Sequence, residues 1–175
     1  YAMWNGWREQ APELQRTAYR LGKMDNHFTL QGNAVEQAVR WALRQRQAGR
    51  EPTVDETYAA AAKPYLNRCW SESRGGLWRS HPKKYCCLHE HYYAALYREP
   101  AAGLTGQMIS LVRQCLDNFI TKVLPKLAAV RPEQELPITT LGMGDPESFR
   151  LDDIKVYAIP DYVYRADNRL HIRDW

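Results

Sequence analysis

Two carboxylates near the end of the sequence are spaced so that a hairpin would bring them to one point. The runs Ile154-Lys-Val-Tyr-Ala-Ile-Pro-Asp161-Tyr-Val-Tyr-Arg165 and Leu170-His-Ile-Arg-Asp174-Trp175 are rich in β-branched and aromatic residues. Between them, Asp167-Asn168 tolerates positive φ, so the stretch reads as a β-hairpin. A two-residue turn there pairs residues whose numbers sum to 335, as 167 and 168 do. Val163 then faces Ile172 and Asp161 faces Asp174, whereas a three-residue loop would slip the register by one. Directly opposed residues hold their Cβ atoms roughly 4.5–5.5 Å apart, and like charges there are destabilising. By alternation, Asp161 shares a face with Ile159 and Val163, and Asp174 shares one with Leu170 and Ile172. Two acids converging at the edge of an apolar face repel unless a cation sits between them. The alternative is that both lie at fraying strand ends and reach water.

The same residues carry a resemblance. Ile-Pro-Asp161, a hairpin, then Arg-Asp174-Trp175 resembles the PD-(D/E)xK nuclease pattern, in the RecB-like branch with the CRISPR-associated exonucleases. The resemblance implies that the two acids hold Mg²⁺ or Mn²⁺ and that a lysine two residues after the second acid completes the site. That position lies one residue past Trp175, and the numbered chain is expected to be an excerpt missing residues at both ends. The segment Leu30-Gln-Gly-Asn-Ala-Val-Glu36-Gln-Ala-Val39 is similar to the family's Gly-x-x-x-His helix, with Glu36 where RecB-like members carry a metal-binding histidine. Other branches use a glutamate there, and a hard oxygen ligand suits Mg²⁺. Glu36 is equally readable as the i, i+4 surface partner of Arg40, worth a few tenths of a kcal/mol. In some relatives four cysteines hold an iron–sulphur cluster, three of them beyond the nuclease motifs, so no cluster is inferable from Cys69, Cys86, Cys87 and Cys115.

The elements that must position these acids follow from periodicity. Ala11-Pro12-Glu13 opens a helix running to about Met24, with Leu14, Ala18 and Leu21 on one side. Asp25-Asn26 breaks it, and Gly32-Asn33 opens a second helix whose apolar face is Val35, Ala38, Val39, Ala42 and Leu43, ended by Gly49. Glu36, Arg40 and Arg44 run beside that face. Residues 53–73 read as a third helix that Pro64 should kink or break. The longest helix spans Gly103 to Leu127, with Met108, Leu111, Val112, Cys115, Leu116, Phe119, Ile120 and Val123 as its stripe. Beyond Pro132 the pattern changes to strands: Glu135–Leu141 as an edge strand because of Pro137, Phe149–Leu151, and the hairpin. The expected fold class is α+β: a helical part, 1–131, followed by a small mainly antiparallel sheet, 132–175, in one restriction-endonuclease-like domain.

Other residues invite chemistry less sharply. Tyr1, Trp4 and Trp7 form an aromatic entry loop, read as packing anchors with base stacking as the alternative. A basic loop carrying Trp78, Arg79, His81, Lys83, Lys84 and Tyr85 would suit a phosphate backbone, or be merely solvated. With Arg40 and Arg44, the cations Arg79, Lys83 and Lys84 are the candidate DNA contacts. His81, Cys86, Cys87, His89 and His91 lie close together, but without Cys-x₂-Cys spacing or a His pair at i, i+4 they match no zinc pattern. Local hydrogen bonds for the histidines and apolar packing for the cysteines are expected instead.

Composition bounds the rest. At 175 residues the chain can bury roughly 70% of its unfolded surface, and six Trp with eleven Tyr supply core. No run approaches the roughly 20 apolar residues of a membrane span. A formal net charge of +4 permits nucleic-acid binding without demanding it. Four cysteines, two of them adjacent, do not resemble a secreted disulfide framework, so a reducing, cytoplasmic setting is expected. The functional expectation is a metal-dependent deoxyribonuclease acting on DNA, with other subunits of a nuclease or defence complex as further candidate partners. The alternatives are a nuclease-like module that has lost catalysis and binds nucleic acid or a partner subunit, and a helical interaction module whose hairpin acids are incidental.

Overall fold

A computed structural model describes residues 5–93, 102–136, 148–157 and 161–173. The chain divides into two units, Tyr1–Lys122 and Val123–Trp175. The coarse class is α+β, with a helical majority and short antiparallel strands.

In the first unit, α1 (Glu13–Leu21) follows Pro12, whose extended backbone leaves its carbonyl to accept from the Gln15 and Arg16 amides. Glu13 in the first turn pairs with Arg20 at 2.9 Å. The face is not the one periodicity suggests: Tyr19 is buried while Leu14 is 77% exposed. The preceding turn packs so closely that a Cβ on Gly6 would lie 2.6 Å from the Tyr19 Cβ and 2.3 Å from the Gln15 carbonyl oxygen. A second helix, α2 (His27–Gln47), begins earlier than expected. Asn26, not Asn33, is its N-cap, accepting from the Thr29 amide at 2.9 Å. Gly32 is a poor helix former, yet it sits inside α2 in open space. Burial of Leu30, Ala34, Ala38, Val39, Ala42 and Leu43 along one stripe overrides that local preference. The helix ends as expected, with Gly49 at φ +75°.

Thr53 and Glu56 form a capping box for α3 (Val54–Thr57). The chain continues without a break through a π-helical turn, Tyr58–Ala62, into α4 (Lys63–Gly75). The proline expected to break this helix is instead accommodated. The wider turn precedes Pro64, which then sits in the first turn of α4, where no amide hydrogen is needed. Gly76, at φ +74°, ends α4. A 3₁₀ turn, Leu77–Arg79, and a short helix, α5 (His89–Tyr92), follow. The long helix α6 (Ala102–Asn118) packs on α2 and α3. It buries Met108, Val112 and Leu116 at four-residue intervals, while Leu111 and Cys115 of the expected stripe are exposed. Arg113 reaches Asp55 at 2.7 Å and lies over the Tyr58 ring.

In the second unit the strands form two separate two-stranded antiparallel sheets. One pairs β1 (Ser148–Leu151) with β2 (Ile154–Tyr157), turning at Asp152 with φ +52°. The other pairs β3 (Tyr162–Ala166) with β4 (Arg169–Arg173). Of the expected edge strand, Glu135 forms an antiparallel bridge with Tyr164, and the Leu136 amide donates to the Val163 carbonyl at 2.9 Å. Residues 137–141 lie outside the described residues. No helix among the described residues is long and apolar enough to cross a membrane.

Candidate functional site

The hairpin carrying Asp161 folds because Asp167 and Asn168 both adopt the left-handed conformation, φ +50° and +57°. A two-residue turn of that type matches the right-handed twist of the flanking strands. The ladder runs Tyr162↔Arg173, Val163↔Ile172, Tyr164↔His171, Arg165↔Leu170, Ala166↔Arg169. Every pair sums to 335, the register expected from the turn.

Its faces differ from expectation. Tyr162 and Tyr164 are buried, and Tyr164 stacks on its cross-strand partner His171, ring centroids 4.7 Å apart. On the opposite face, Leu170 is 55% and Ile172 60% exposed. The tyrosines bury larger areas than the aliphatics, and size outweighs hydropathy rank in choosing the packed face. Asp161 precedes β3, is partly buried, and belongs by alternation with the open face of Val163 and Ile172. Asp174, with Ile159, Pro160 and Trp175, lies outside the described residues.

Glu36 projects from α2 and binds the Arg40 guanidinium at 2.6 Å. The pair is not a surface one, because Arg40 is only 5% exposed and its Nε finds no partner among the described residues. Arg40 thus stands apart from the other candidate DNA contacts. Arg44, Arg79, Lys83 and Lys84 are exposed. The Arg79 guanidinium lies 4.6 Å from the Trp78 ring centroid. Trp78 itself is buried and donates its Nε1–H to the Ser73 carbonyl at 3.0 Å, so it is core and not a stacking platform. Trp7, expected as a packing anchor, is exposed, with Arg8 over its ring. Tyr1 and Trp4 lie outside the described residues.

Among the described residues, no group of three or more His, Cys, Asp or Glu side chains is placed to hold a metal ion. Of the histidines in the 81–91 segment, His81 meets its neighbour Ser80, whereas His91 reaches across to Ser73 on α4 at 2.8 Å, so the contact expected to be local is a tertiary one.

No family model, curated protein or solved structure matches the chain.

A second polar cluster, which sequence reasoning did not find, lies where the starts of α2 and α5 meet α4. Asp25 and Leu88 form a parallel bridge. The Asp25 amide donates to the Cys87 carbonyl and the His89 amide to the Asp25 carbonyl, each at 2.8 Å. Glu90 on α5 reaches back to α2, where its Oε1 lies 2.5 Å from His27 Nδ1 and accepts the His27 amide at 3.1 Å. Burial pushes the Glu90 carboxyl up, but the hydrogen bonds from His27 outweigh it and hold the group below its usual range. Asp25 goes the other way: desolvation raises it, partly opposed by the charge on His89. The Cys86 amide donates to Glu72 Oε2 at 2.9 Å, the Leu88 amide to Ser73 Oγ at 2.8 Å, and the Cys86 thiol lies 4.0 Å from Asp25 Oδ2. No local signal announces this cluster, because its members come from three elements far apart in the chain.

Proposed function

We propose that this chain is a metal-dependent DNA nuclease of the RecB-like PD-(D/E)xK kind. The observation that carries the reading is the hairpin register. Continued one pair beyond Tyr162↔Arg173, it would set Asp161 opposite Asp174, the two acids of the motif. The donor set fits the ion: two carboxylates offer hard oxygens of the kind Mg²⁺ and Mn²⁺ take. The open face beside Asp161, with Leu170 and Ile172 exposed, leaves room for a phosphodiester. When bound, the cation would supply charge to polarise the phosphate and acidify an attacking water. Asp161 and Asp174 would hold it and orient the scissile phosphate. Arg44, Arg79, Lys83 and Lys84, exposed cations, would engage the DNA backbone.

The test is Mn²⁺ binding by titration calorimetry and spin resonance, with cleavage of single- and double-stranded DNA measured alongside. Binding that is lost in both Asp161→Asn and Asp174→Asn supports the reading, and Mg²⁺-dependent cleavage completes it. Mn²⁺ binding indifferent to both substitutions overturns it. Salt-dependent DNA binding without any metal binding would replace it with the non-catalytic binding module.

A further inference from the structure

The open face of the hairpin runs on from Asp161 to a second feature that the nuclease reading does not use. By alternation along the ladder, Asp161, Val163 and Arg165 share this face with Leu170 and Ile172 of β4. Val163 is half-buried, whereas Leu170 and Ile172 are more than half exposed, so an apolar strip lies uncovered between the acid and the arginine. At the far end of the strip is an open cleft of about 430 Å³, lined by the turn residues together with Gln134, Arg165, Arg169 and Leu170. Gln134 fixes one wall: its Nε2 donates to the Arg165 carbonyl at 3.0 Å, and its Oε1 accepts from the Arg131 amide at 2.8 Å. The bridge from Glu135 to Tyr164 and the bond from the Leu136 amide to the Val163 carbonyl hold that wall along β3. Arg165 and Arg169 are both exposed, and Asp167 is the one acid among the described lining residues, so the cleft is net positive.

We propose that this face is the track of a single DNA strand, with Arg165 and Arg169 holding a phosphate near the scissile one and Val163, Leu170 and Ile172 supporting the nucleoside between. The register of the strand rests on the nuclease reading of Asp161; the track itself is defined without metal. Charge complementarity assigns the occupant. A guanidinium fork matches phosphate oxygens in pairs, and two forks at one cleft can grip one phosphate from both sides. Asp161 and Arg165 stand four residues apart, about 14 Å at the rise of an antiparallel strand. That is longer than one step between phosphates, so Arg165 takes a neighbour of the scissile phosphate and not the scissile phosphate itself. Width and polarity choose a single strand. Neighbouring β-strands lie only about 4.8 Å apart, so a two-stranded ribbon offers the breadth of one nucleic-acid chain. A duplex keeps its bases paired and shows groove edges and phosphates, which gain nothing from an aliphatic strip. An unpaired strand can lay a base and its sugar there and shed water from both. The sugar contact favours DNA, because a 2′-hydroxyl on that strip would lose its hydrogen bonds to water. Phosphate contacts carry no sequence information, so the track accepts any base order.

The experiment measures binding of a fluorescein-labelled oligodeoxythymidylate to the full chain by anisotropy, in EDTA and over a range of salt. A single strand contributes about 0.7 to the salt slope per phosphate contact. Arg165→Ala combined with Arg169→Ala should therefore lower the slope by about 0.7, and should weaken binding at least about tenfold, the worth of a charge-assisted hydrogen bond. Leu170→Ser combined with Ile172→Thr should weaken binding severalfold with the slope unchanged, since no charge is removed. Arg165→Gln and Arg169→Gln, read singly, should each weaken binding and serve if the double variant fails to fold. An unchanged slope in the double arginine variant, no binding in EDTA, or equally tight binding of a duplex or of oligouridylate of the same length would overturn the proposal. Mn²⁺ titration of the same samples separates the two readings. Arginine-independent binding with Mn²⁺ bound at Asp161 removes the track alone. Arginine-dependent binding without Mn²⁺ binding supports the track and removes the nuclease reading.

Discussion

The hairpin of the second unit and the polar cluster of the first were built by opposite means. In the hairpin, two turn residues with positive φ set a ladder of five pairs, and everything that follows is local. In the cluster, Asp25, Glu72, Ser73 and the 86–90 segment meet only because α2, α4 and α5 have packed. Chemistry on a hairpin is therefore held by turn geometry and should survive damage elsewhere in the chain. Chemistry at the cluster depends on a helical core and should disappear with it.

The strongest challenge to that contrast is a cavity at the junction. Leu88 is fully buried between the Asp25 and Ser73 contacts. Leu88→Ala should cost about 2–5 kcal/mol in denaturant unfolding and expose Cys69 and Cys86 to alkylation in the folded state, while the hairpin amides of the second unit keep their hydrogen-exchange protection. Loss of protection in both places would remove the contrast. Next in size is Asp161→Asn. Residues that merely orient a metal ligand cost roughly 10–100-fold in affinity, so removing a ligand should weaken Mn²⁺ binding at least about a hundredfold, measured by calorimetry, with the folded circular dichroism spectrum retained.

How much could be read in advance follows the same division. Asp167-Asn168 announced the turn and with it the register, because turn chemistry is a two-residue property. Gly49 and the position of Asn26 between two helices were legible for the same reason. The buried face of the hairpin was not, since choosing Tyr162 and Tyr164 over Val163 and Ile172 depends on what packs against them. The start of α2 was misplaced because Gly32 looks like a breaker until the stripe from Leu30 to Leu43 is counted as buried. Pro64 looked like a break because a sequence does not show that a π-turn will absorb it. The pairing of Glu36 with Arg40 was visible at i, i+4, but the burial of Arg40 was not. The meeting of Asp25 and Ser73 with Leu88 had no local trace at all.

Smaller effects sharpen the comparison. Holding a non-glycine residue in the left-handed region costs roughly 1–2 kcal/mol, and glycine is the favoured second residue of this turn type. Asn168→Gly should therefore stabilise the hairpin by up to about 1 kcal/mol, seen as slower amide exchange at Tyr164 and Leu170, with no change at the cluster. The subtlest test is pH. Glu90 titrates below its unfolded value of about 4.3, so its contribution is present above that value and fades as the pH falls through the lower folded value. Glu90→Gln should flatten that acid decline. Asp25 is raised above its unfolded value of about 3.9, so it disfavours the fold once the pH exceeds its folded value. Asp25→Asn should then raise the unfolding midpoint at pH 7 and leave it nearly unchanged at pH 3. Both substitutions are read as thermal midpoints across pH 3 to 7, and parallel curves for the two variants would contradict the opposite placements of these acids.

The bridge between Asp25 and Leu88 also has a kinetic meaning. It is made of two hydrogen bonds across a long stretch of chain, and closing such a loop is an entropic step that must precede the contacts it enables. The amides of Asp25 and His89 are therefore clocks for the assembly of the helical unit. In pulse-labelled refolding they should become protected together, and later than the amides inside α2 and α4, because they record the moment when the two ends of that loop find each other.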